Sequence, residues 1–335
     1  MLKSLQKAFK VKEVRDRLLY TFMMLVVIRI GCCLPIPGVD PSYLHDFFSN
    51  LQNSGMGFFN AITGGSFSSM SIFALSITPY ITSSIIMQLL TIAIPKLEEM
   101  QKDGEDGRKK IAEYTRYLTV GLALFESCAM AVGLGGKGLL LEDHRNIWGY
   151  LTVVAAMTAG SALLMWIGER ITDNGVGNGI SIVLLINIVS GTPQDMMTLY
   201  ERFMAGRSVA VATVSGIIVL AIIVAIVVFV LVLNDAERRI PVQYSKKMQG
   251  RRMIGGQSTY IPLKVNTANV IPVIFASSIM SMPVMIAQFF HVDYSTIGGK
   301  ILLALSSSNW FKPEAPAYSI GMLVYIVLVV LFAYF

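Results

Sequence analysis

Charged residues are scarce in this sequence of 335 residues. Asp, Glu, Lys and Arg together make up 14% of it, against about 25% in a typical soluble domain. Hydrophobic residues make up 54%, and the mean hydropathy is +0.62. This composition excludes an ordinary soluble globular protein and indicates a polytopic membrane protein.

Cysteine and histidine are also rare, with three residues of each. Cys32 and Cys33 are adjacent and Cys128 is isolated, so the sequence offers no disulfide framework. The histidines lack metal-ligand spacing, and no serine or cysteine has a histidine and an acid placed to activate it. The motif GLGGKG at residues 133–138 formally matches a nucleotide-binding pattern but follows an apolar span instead of a strand. We therefore expect no enzymatic activity, no bound metal and no cofactor.

Long apolar runs are what the sequence has in abundance. A run of about 20 residues with few charges is long enough to cross a bilayer as a helix. Eight runs are candidate spans, the fifth of them short, numbered one to eight in chain order: residues 18–34, 71–94, 118–134, 147–167, 180–189, 209–233, 270–290 and 318–335. Since backbone groups in lipid must bond internally, each run is predicted to be helical.

The predicted fold is therefore all-α, a polytopic transmembrane helical bundle. We divide the chain into an N-terminal half, residues 1–191 with spans one to five, and a C-terminal half, residues 192–335 with spans six to eight. The C-terminal half contains a basic loop at residues 234–268.

Lysine and arginine concentrate in alternate loops. Of the 27 such residues, 20 lie in the N-terminal segment and in the loops after spans two, four and six. Because cytoplasmic loops retain positive charge during insertion, this distribution predicts a cytoplasmic N-terminus. It also explains the net charge of +6 without nucleic acid, although basic loops can bind partners or anionic lipid as well. No small-residue cleavage site follows span one, so we expect that span to be retained.

Two ionisable residues, Arg29 and Glu126, fall inside predicted spans. Such residues are costly in lipid and usually functional. At 1.5 Å per residue they lie about 16 Å and about 12 Å from the cytoplasmic ends of their spans, so they could pair if spans one and three touch. An ion-coupled transporter typically carries more such groups, and their scarcity counts against that class.

Two pairs of bulky aliphatic residues repeat at a spacing of four within predicted spans. Ile77 and Ile81 lie in span two, and Leu184 and Ile188 lie in span five, so each pair shares a helix face. Periodicity alone indicates ordinary lipid-facing or core side chains. Pro79 lies between the first pair, and proline within a helix removes a hydrogen bond and predicts a bend.

A glycine-rich apolar segment precedes span two. Its sequence, GFFNAITGGSFSSM at residues 57–70, is too short and too rich in glycine to cross the bilayer. The segment is therefore predicted to be a re-entrant or plugging element on the outer side.

Several of these stretches, taken together, resemble one family. They are RIGCCLPIPGVD (29–40), SIFALSITPYITSSIIMQLL (71–90), GEDGRKKIAEYTRY (104–117), GNGISIVLLINIVSG (177–191), RRIPVQYSKKMQGRR (238–252) and STYIPLKVNTANVIPVIFASSI (258–279). In their content and order they resemble the SecY family, the channel subunits of bacterial protein-export translocons. Members of that family have ten spans, whereas this sequence ends within its predicted eighth. We therefore expect it to cover part of a full-length member, without the last cytoplasmic loop and the last two spans.

The resemblance implies a protein-conducting channel in the bacterial inner (plasma) membrane. Such a channel translocates unfolded secretory polypeptides and releases transmembrane segments into lipid through a lateral gate. The implied partners are the SecE and SecG subunits, the SecA motor ATPase, the ribosome, signal peptides, unfolded polypeptide substrates and membrane lipid. Two alternatives from other classes stay open at this point: an ion-coupled secondary transporter and a membrane insertase without a pore.

The resemblance also implies four groups of functional residues. The pore ring, a waist that excludes water and ions yet parts around a passing chain, would comprise Ile77, Ile81, Leu184, Ile188 and Ile274. The plug, hinged at its two glycines, would include Phe58, Phe59, Asn60, Ala61, Ile62, Gly64, Gly65 and Phe67. The lateral gate would include Thr82, Glu126 and Met282. The surface that docks SecA or the ribosome would include Arg238, Arg239, Lys246, Lys247, Arg251 and Arg252.

Overall fold

The structure is a computed structural model that describes most of the chain. The described residues are 10–40, 63–135, 138, 140–141, 144–242, 247–249, 252–254, 259–268, 270–289, 296–306, 310 and 316–334. Contacts between Cα atoms divide the chain into two units. The first comprises residues 1–193 and 275–329, and the second comprises residues 194–274 and 330–335.

Helices dominate the described residues, as the all-α prediction requires. In chain order they are α1 (Lys12–Cys33), α2 (Thr78–Ala93), α3 (Pro95–Lys102), α4 (Glu105–Leu134), α5 (Ile147–Asn174), α6 (Gly179–Phe203), α7 (Val209–Asp235), α8 (Ile271–Phe289), α9 (Ile297–Leu305) and α10 (Ile320–Tyr334). A short 3₁₀ helix, Pro316–Ser319, leads into α10. Four strands lie between α7 and α8: β1 (Glu237–Val242), β2 (Lys247–Gln249), β3 (Arg252–Ile254) and β4 (Thr259–Lys264).

Several of these helices meet the requirements for crossing a membrane. By length and apolar composition, α5, α6, α7 and the helical stretch that ends with α10 do so among the described residues. The bent pair formed by α2 and α3 raises the number to five. The total of eight spans therefore stays a prediction.

Span two is not a continuous helix. Residues 63–77, called the broken segment from here on, form a succession of turns, and α2 begins only at Thr78. Met70 and Ser76 have positive φ angles of 41° and 53°, a backbone region that side chains other than glycine rarely adopt. Such residues interrupt a helix, and this is why the predicted helical start at residue 71 is wrong.

Pro79 begins a helix instead of bending one. It stands in the first turn of α2, where the missing N–H would have had no partner within the helix. The sharp change of direction occurs later, at Ile94, where α3 leaves α2 at an angle of 102°. Pro95 is the first residue of α3, and it ends α2 because proline disfavours helical backbone in the residue before it, here the extended Ile94.

The broken segment is the centre of the packing in the first unit. Its Phe67, Met70 and Leu75 belong to one buried apolar cluster, together with residues of α4 and α5. Its Phe73 and Ile77 belong to a second cluster, together with residues of α1, α5 and α6. Irregular backbone at membrane depth is tolerated only where protein surrounds it, and this burial meets that condition.

Helix α6 is much longer than the predicted span five. It has 25 residues and continues through Pro193 and a polar stretch, whereas the apolar run covers only residues 180–189. Hydropathy locates the part of a helix that lies in lipid, not its full extent, and the polar C-terminal turns of α6 were therefore missed.

In the second unit, α7 is followed by two antiparallel strand pairs, one enclosing the other along the chain, that were not predicted; they are called the hairpins from here on. β1 pairs with β4 in antiparallel register, and β2 pairs with β3 in the same way. Pro241 and Pro262 lie within paired strands, where their missing N–H groups are tolerated because a two-stranded ribbon has free edges on both sides. The guanidinium of Arg239 lies 4.7 Å from the centre of the Tyr260 ring, a favourable cation–π contact.

The packing of the broken segment against α5 can be tested at Gly160. A Cβ added there would overlap the backbone carbonyl oxygen of Ile72. We expect Gly160→Ala to lower the free energy of unfolding by about 1–3 kcal/mol, as overpacking does, measured by protease resistance of the detergent-solubilised protein. Gly121→Ala in α4 is the control, because nothing lies within 4 Å of its added Cβ. Equal destabilisation by both changes would contradict this packing.

Candidate pore site

The predicted ring residues of the first unit lie on two elements. Ile77 is the residue immediately before α2, and Ile81 follows one turn later. The Ile81 N–H donates to the Ile77 carbonyl at 3.1 Å. Leu184 and Ile188 lie on α6. The structure brings three of these together, since Ile77 is part of the second apolar cluster and both Ile81 and Leu184 pack against it. Ile188 does not join this cluster and is 53% exposed.

Ile77 differs from the other three in its burial. It is 0% exposed, and its Cδ1 lies 3.6 Å from the position that a Cβ would occupy on Gly168 of α5. Ile77 therefore faces the protein interior in this conformation. Ile274 is partly buried and belongs to the second unit.

The described part of the plug begins at Thr63, and its predicted residues 58–62 lie outside the described residues. Gly64 and Gly65 have φ angles of 65° and 81°, a conformation that favours glycine and fits the predicted hinge. They differ in their surroundings: a Cβ on Gly64 would lie 2.8 Å from the Asn187 carbonyl oxygen, whereas Gly65 has nothing within 4 Å. Phe67 is fully buried.

Polar side chains connect the broken segment to two helices. The Asn187 Nδ2 donates to Ser76 Oγ at 3.0 Å, and the Ser161 Oγ donates to the Ser76 carbonyl at 3.3 Å. These bonds link the segment to α6 and to α5 respectively. They hold Ser76 in its left-handed conformation from two sides.

Arg29 and Glu126 do not pair in the structure. The Arg29 Nη1 donates instead to Ser190 Oγ of α6 at 2.8 Å. Glu126 Oε2 is buried and has no hydrogen-bond partner among the described residues. Arg29 therefore faces α6, which the sequence analysis did not foresee. Asn187 and Ser190, three residues apart in an apolar span, were the available signal, because this spacing places them on one helix face.

The other predicted gate residues lie on α2 and α8. The Thr82 Oγ1 donates to the Thr78 carbonyl of its own helix at 3.1 Å, so this polar side chain is satisfied without water. Met282 is partly buried on α8. Together with Glu126 on α4, they stay predicted gate residues.

The predicted docking residues lie in or beside the hairpins. Arg238 and Arg239 are exposed on β1, next to the exposed apolar residues Tyr260 and Ile261 of β4. Lys247 and Arg252 lie in the paired strands β2 and β3. The predicted residues 246 and 251 lie outside the described residues.

The SecY family profile matches residues 71–335. The protein translocase subunit SecY of Streptomyces scabiei is 44% identical over 347 aligned residues, which cover 100% of this chain and 76% of that protein. Two solved structures have a similar fold, and in both cases 95% of this chain and 71% of the other are covered.

The first solved structure is that of a protein conducting channel, with a TM-score of 0.59 and 19% sequence identity. The second is Sec61 in the canine ribosome-channel complex from the endoplasmic reticulum, with a TM-score of 0.58 and 20% identity. The two solved structures show a similar fold only, whereas the family profile and the Streptomyces relative show family membership. On the strength of the latter two, this chain belongs to the SecY family.

Proposed function

We propose that this chain is the central subunit of a channel that carries unfolded polypeptides across the membrane and releases transmembrane segments sideways into lipid. The observation that carries this function is the 44% identity to a translocase subunit over the whole of the chain. The break in span two, which lies beside a cluster of aliphatic side chains, supports this proposal. An ion-coupled transporter is not favoured by this relationship.

The waist acts as a seal without chemical selectivity. Ile77, Ile81, Leu184 and Ile188 from the first unit, with Ile274 of α8, supply bulky apolar side chains that exclude water and ions by dewetting. No charged group is required, so a passing chain of almost any sequence can part them. Leu184 has nearly the same side-chain volume as the isoleucines at the other ring positions, so it preserves the seal.

The plug and the lateral gate complete the proposed mechanism. The plug, which ends at Phe67 and is hinged at Gly64 and Gly65, fills the outer side of the channel when the channel is closed. The gate opens along a seam that includes Thr82, Glu126 and Met282, through which apolar segments reach lipid. Glu126 Oε2, which is buried and has no hydrogen-bond partner in the described part of the chain, supports a role for this residue in the closed seam.

The hairpins form the proposed docking surface for a ribosome or a SecA-type motor. Exposed arginines beside the exposed ring of Tyr260 provide guanidinium groups that suit RNA phosphates and carboxylates. The related Sec61 was solved in a ribosome-channel complex, which supports this assignment. SecE and SecG homologues are the proposed further subunits.

The proposed location is the bacterial plasma membrane, with the N-terminus in the cytoplasm. Its relatives include translocase subunits of two bacteria, Streptomyces scabiei and Halalkalibacterium halodurans. The orientation rests on the 20 of 27 lysine and arginine residues that lie on one predicted side. This orientation places the hairpins in the cytoplasm, where a ribosome or motor can reach them.

The seal can be tested by making the waist polar. In membranes that contain the translocase, we expect Ile81→Ser combined with Ile188→Ser to raise the resting ion conductance several-fold, because hydroxyl groups allow water to wet the constriction. The matched control is Val189→Ser, since Val189 is as exposed as Ile188 but lies about 100° or more around the helix from both Leu184 and Ile188. A conductance that stays at the level of the unchanged protein in the double variant would contradict the proposed ring.

The docking surface can be tested by charge reversal. We expect Arg251→Glu with Arg252→Glu to weaken ribosome or SecA binding about tenfold at low salt, with a smaller effect at high salt as the charges are screened. The control pair is Arg108→Glu with Lys109→Glu, which removes the same charge from another predicted cytoplasmic loop. Equal loss of binding in both variants would show that total charge, not the hairpin loop, determines docking.

A further inference from the structure

One turn of α6 contacts both ends of the broken segment. At one end, the Asn187 Nδ2 donates to Ser76 Oγ at 3.0 Å. At the other end, a Cβ on Gly64 would lie 2.8 Å from the Asn187 carbonyl oxygen and 2.9 Å from Ser190 Oγ. Asn187 and Ser190 therefore lie directly against the hinge of the plug and against the start of α2.

Ser76 needs these contacts because its backbone is strained. Its φ of 53° is unusual for a residue with a side chain, and such conformations persist only where the surroundings hold them. Asn187 holds its hydroxyl, and Ser161 holds its carbonyl. Loss of either bond frees Ser76 to return to an ordinary conformation, which moves the broken segment.

Arg29 extends the same chain of hydrogen bonds to α1. The Ser190 Oγ donates its hydrogen to the Asn187 carbonyl at 2.6 Å, and its lone pairs accept from Arg29 Nη1 at 2.8 Å. No carboxylate of the described residues forms an ion pair with Arg29. A guanidinium in an apolar span is costly without a partner, so the Ser190 hydroxyl fixes α1 to this turn of α6.

We propose that Arg29, Ser76, Asn187 and Ser190 form a polar latch that holds the broken segment on α6 in the closed channel. This inference rests on the proposed channel function. Asn187 stands between the ring positions Leu184 and Ile188 on α6, so α6 and the broken segment cannot separate at the waist without breaking the latch. These residues act by positioning the plug hinge and the ring, not by contacting the substrate.

The latch is built so that it can be released. Asn187 Oδ1 is buried and accepts no hydrogen bond from the described residues. One of the two polar atoms of the Asn187 amide is therefore unsatisfied in the closed conformation. This lowers the free-energy cost of moving Asn187 out of that conformation. Arg29, Ser190 and Asn187 gain access to water once the segment moves away.

The experiment measures movement of the broken segment directly. Ser66 is 1% exposed, and Ser66→Cys is a nearly isosteric reporter when Cys32, Cys33 and Cys128 are replaced by alanine. In intact membranes, a membrane-impermeant maleimide is added on the outer side and the labelling rate is recorded. We expect Asn187→Leu, and separately Ser190→Ala, to raise this rate roughly five- to tenfold, the value of about one buried hydrogen bond.

Ser127→Ala is the matched control. Ser127 is as buried as Asn187, and its hydroxyl hydrogen-bonds Thr158 Oγ1 at 2.9 Å, linking α4 and α5. Ser127 takes part in none of the latch hydrogen bonds, so the labelling rate of Ser127→Ala should stay at the level of the unchanged protein. A similar rise in this variant would show general loosening and would overturn the latch, as would an unchanged rate in both Asn187→Leu and Ser190→Ala.

Combination of the variants separates a latch from independent contacts. If Arg29, Ser190 and Asn187 act through one chain of bonds, adding Arg29→Gln to Ser190→Ala should raise the labelling rate by less than the product of the two separate effects. Multiplicative effects would contradict a connected latch. Because labelling needs no substrate, it stands apart from the conductance of the polar ring variant, which tests the proposed function itself.

Discussion

The rest of the structure depends on one constraint, which is that irregular backbone at membrane depth must find its hydrogen bonds inside the protein. The broken segment meets it through the stretch that follows α1: Ile36 N–H bonds to the Met70 carbonyl and Ile72 N–H to the Leu34 carbonyl, both at 3.0 Å. The Ser76 carbonyl meets it through the Ser161 hydroxyl of α5, and the Ser76 N–H through the Phe73 carbonyl. Asn187 of α6 bonds the Ser76 side chain. The packing of α1, α5 and α6 around the segment follows from these needs.

This constraint also explains how a stable core can open. A continuous helix satisfies its own backbone and has no reason to exchange partners, whereas a broken segment is held by side chains that can release it. In the proposed mechanism the seal is apolar and the attachment is polar, so the two functions are separated between neighbouring residues of α6. Leu184 and Ile188 are the proposed seal, while Asn187 bonds Ser76 of the broken segment and Ser190 bonds Arg29 of α1.

Much of the helical fold could be predicted from hydropathy and charge, because a bilayer imposes length and apolarity on any span. What hydropathy could not show is backbone conformation and polar partners. The φ of Ser76 ends the helix of span two, Arg29 binds a hydroxyl instead of Glu126, and α6 continues into polar turns. The hairpins were missed because their exposed basic strands resemble an ordinary cytoplasmic loop. The residues of the ring came from family resemblance, since their periodicity alone indicates common core positions.

The most direct test of the account is crosslinking of a stalled secretory chain in the membrane-embedded translocase. Single cysteines at Ile81, Ile188 and Ile274 report from α2, α6 and α8. The account predicts adducts at all three positions, because a polypeptide in the waist touches every element of the ring. Adducts confined to the positions on α2 and α8 would place the chain at the lateral gate and contradict the proposed ring.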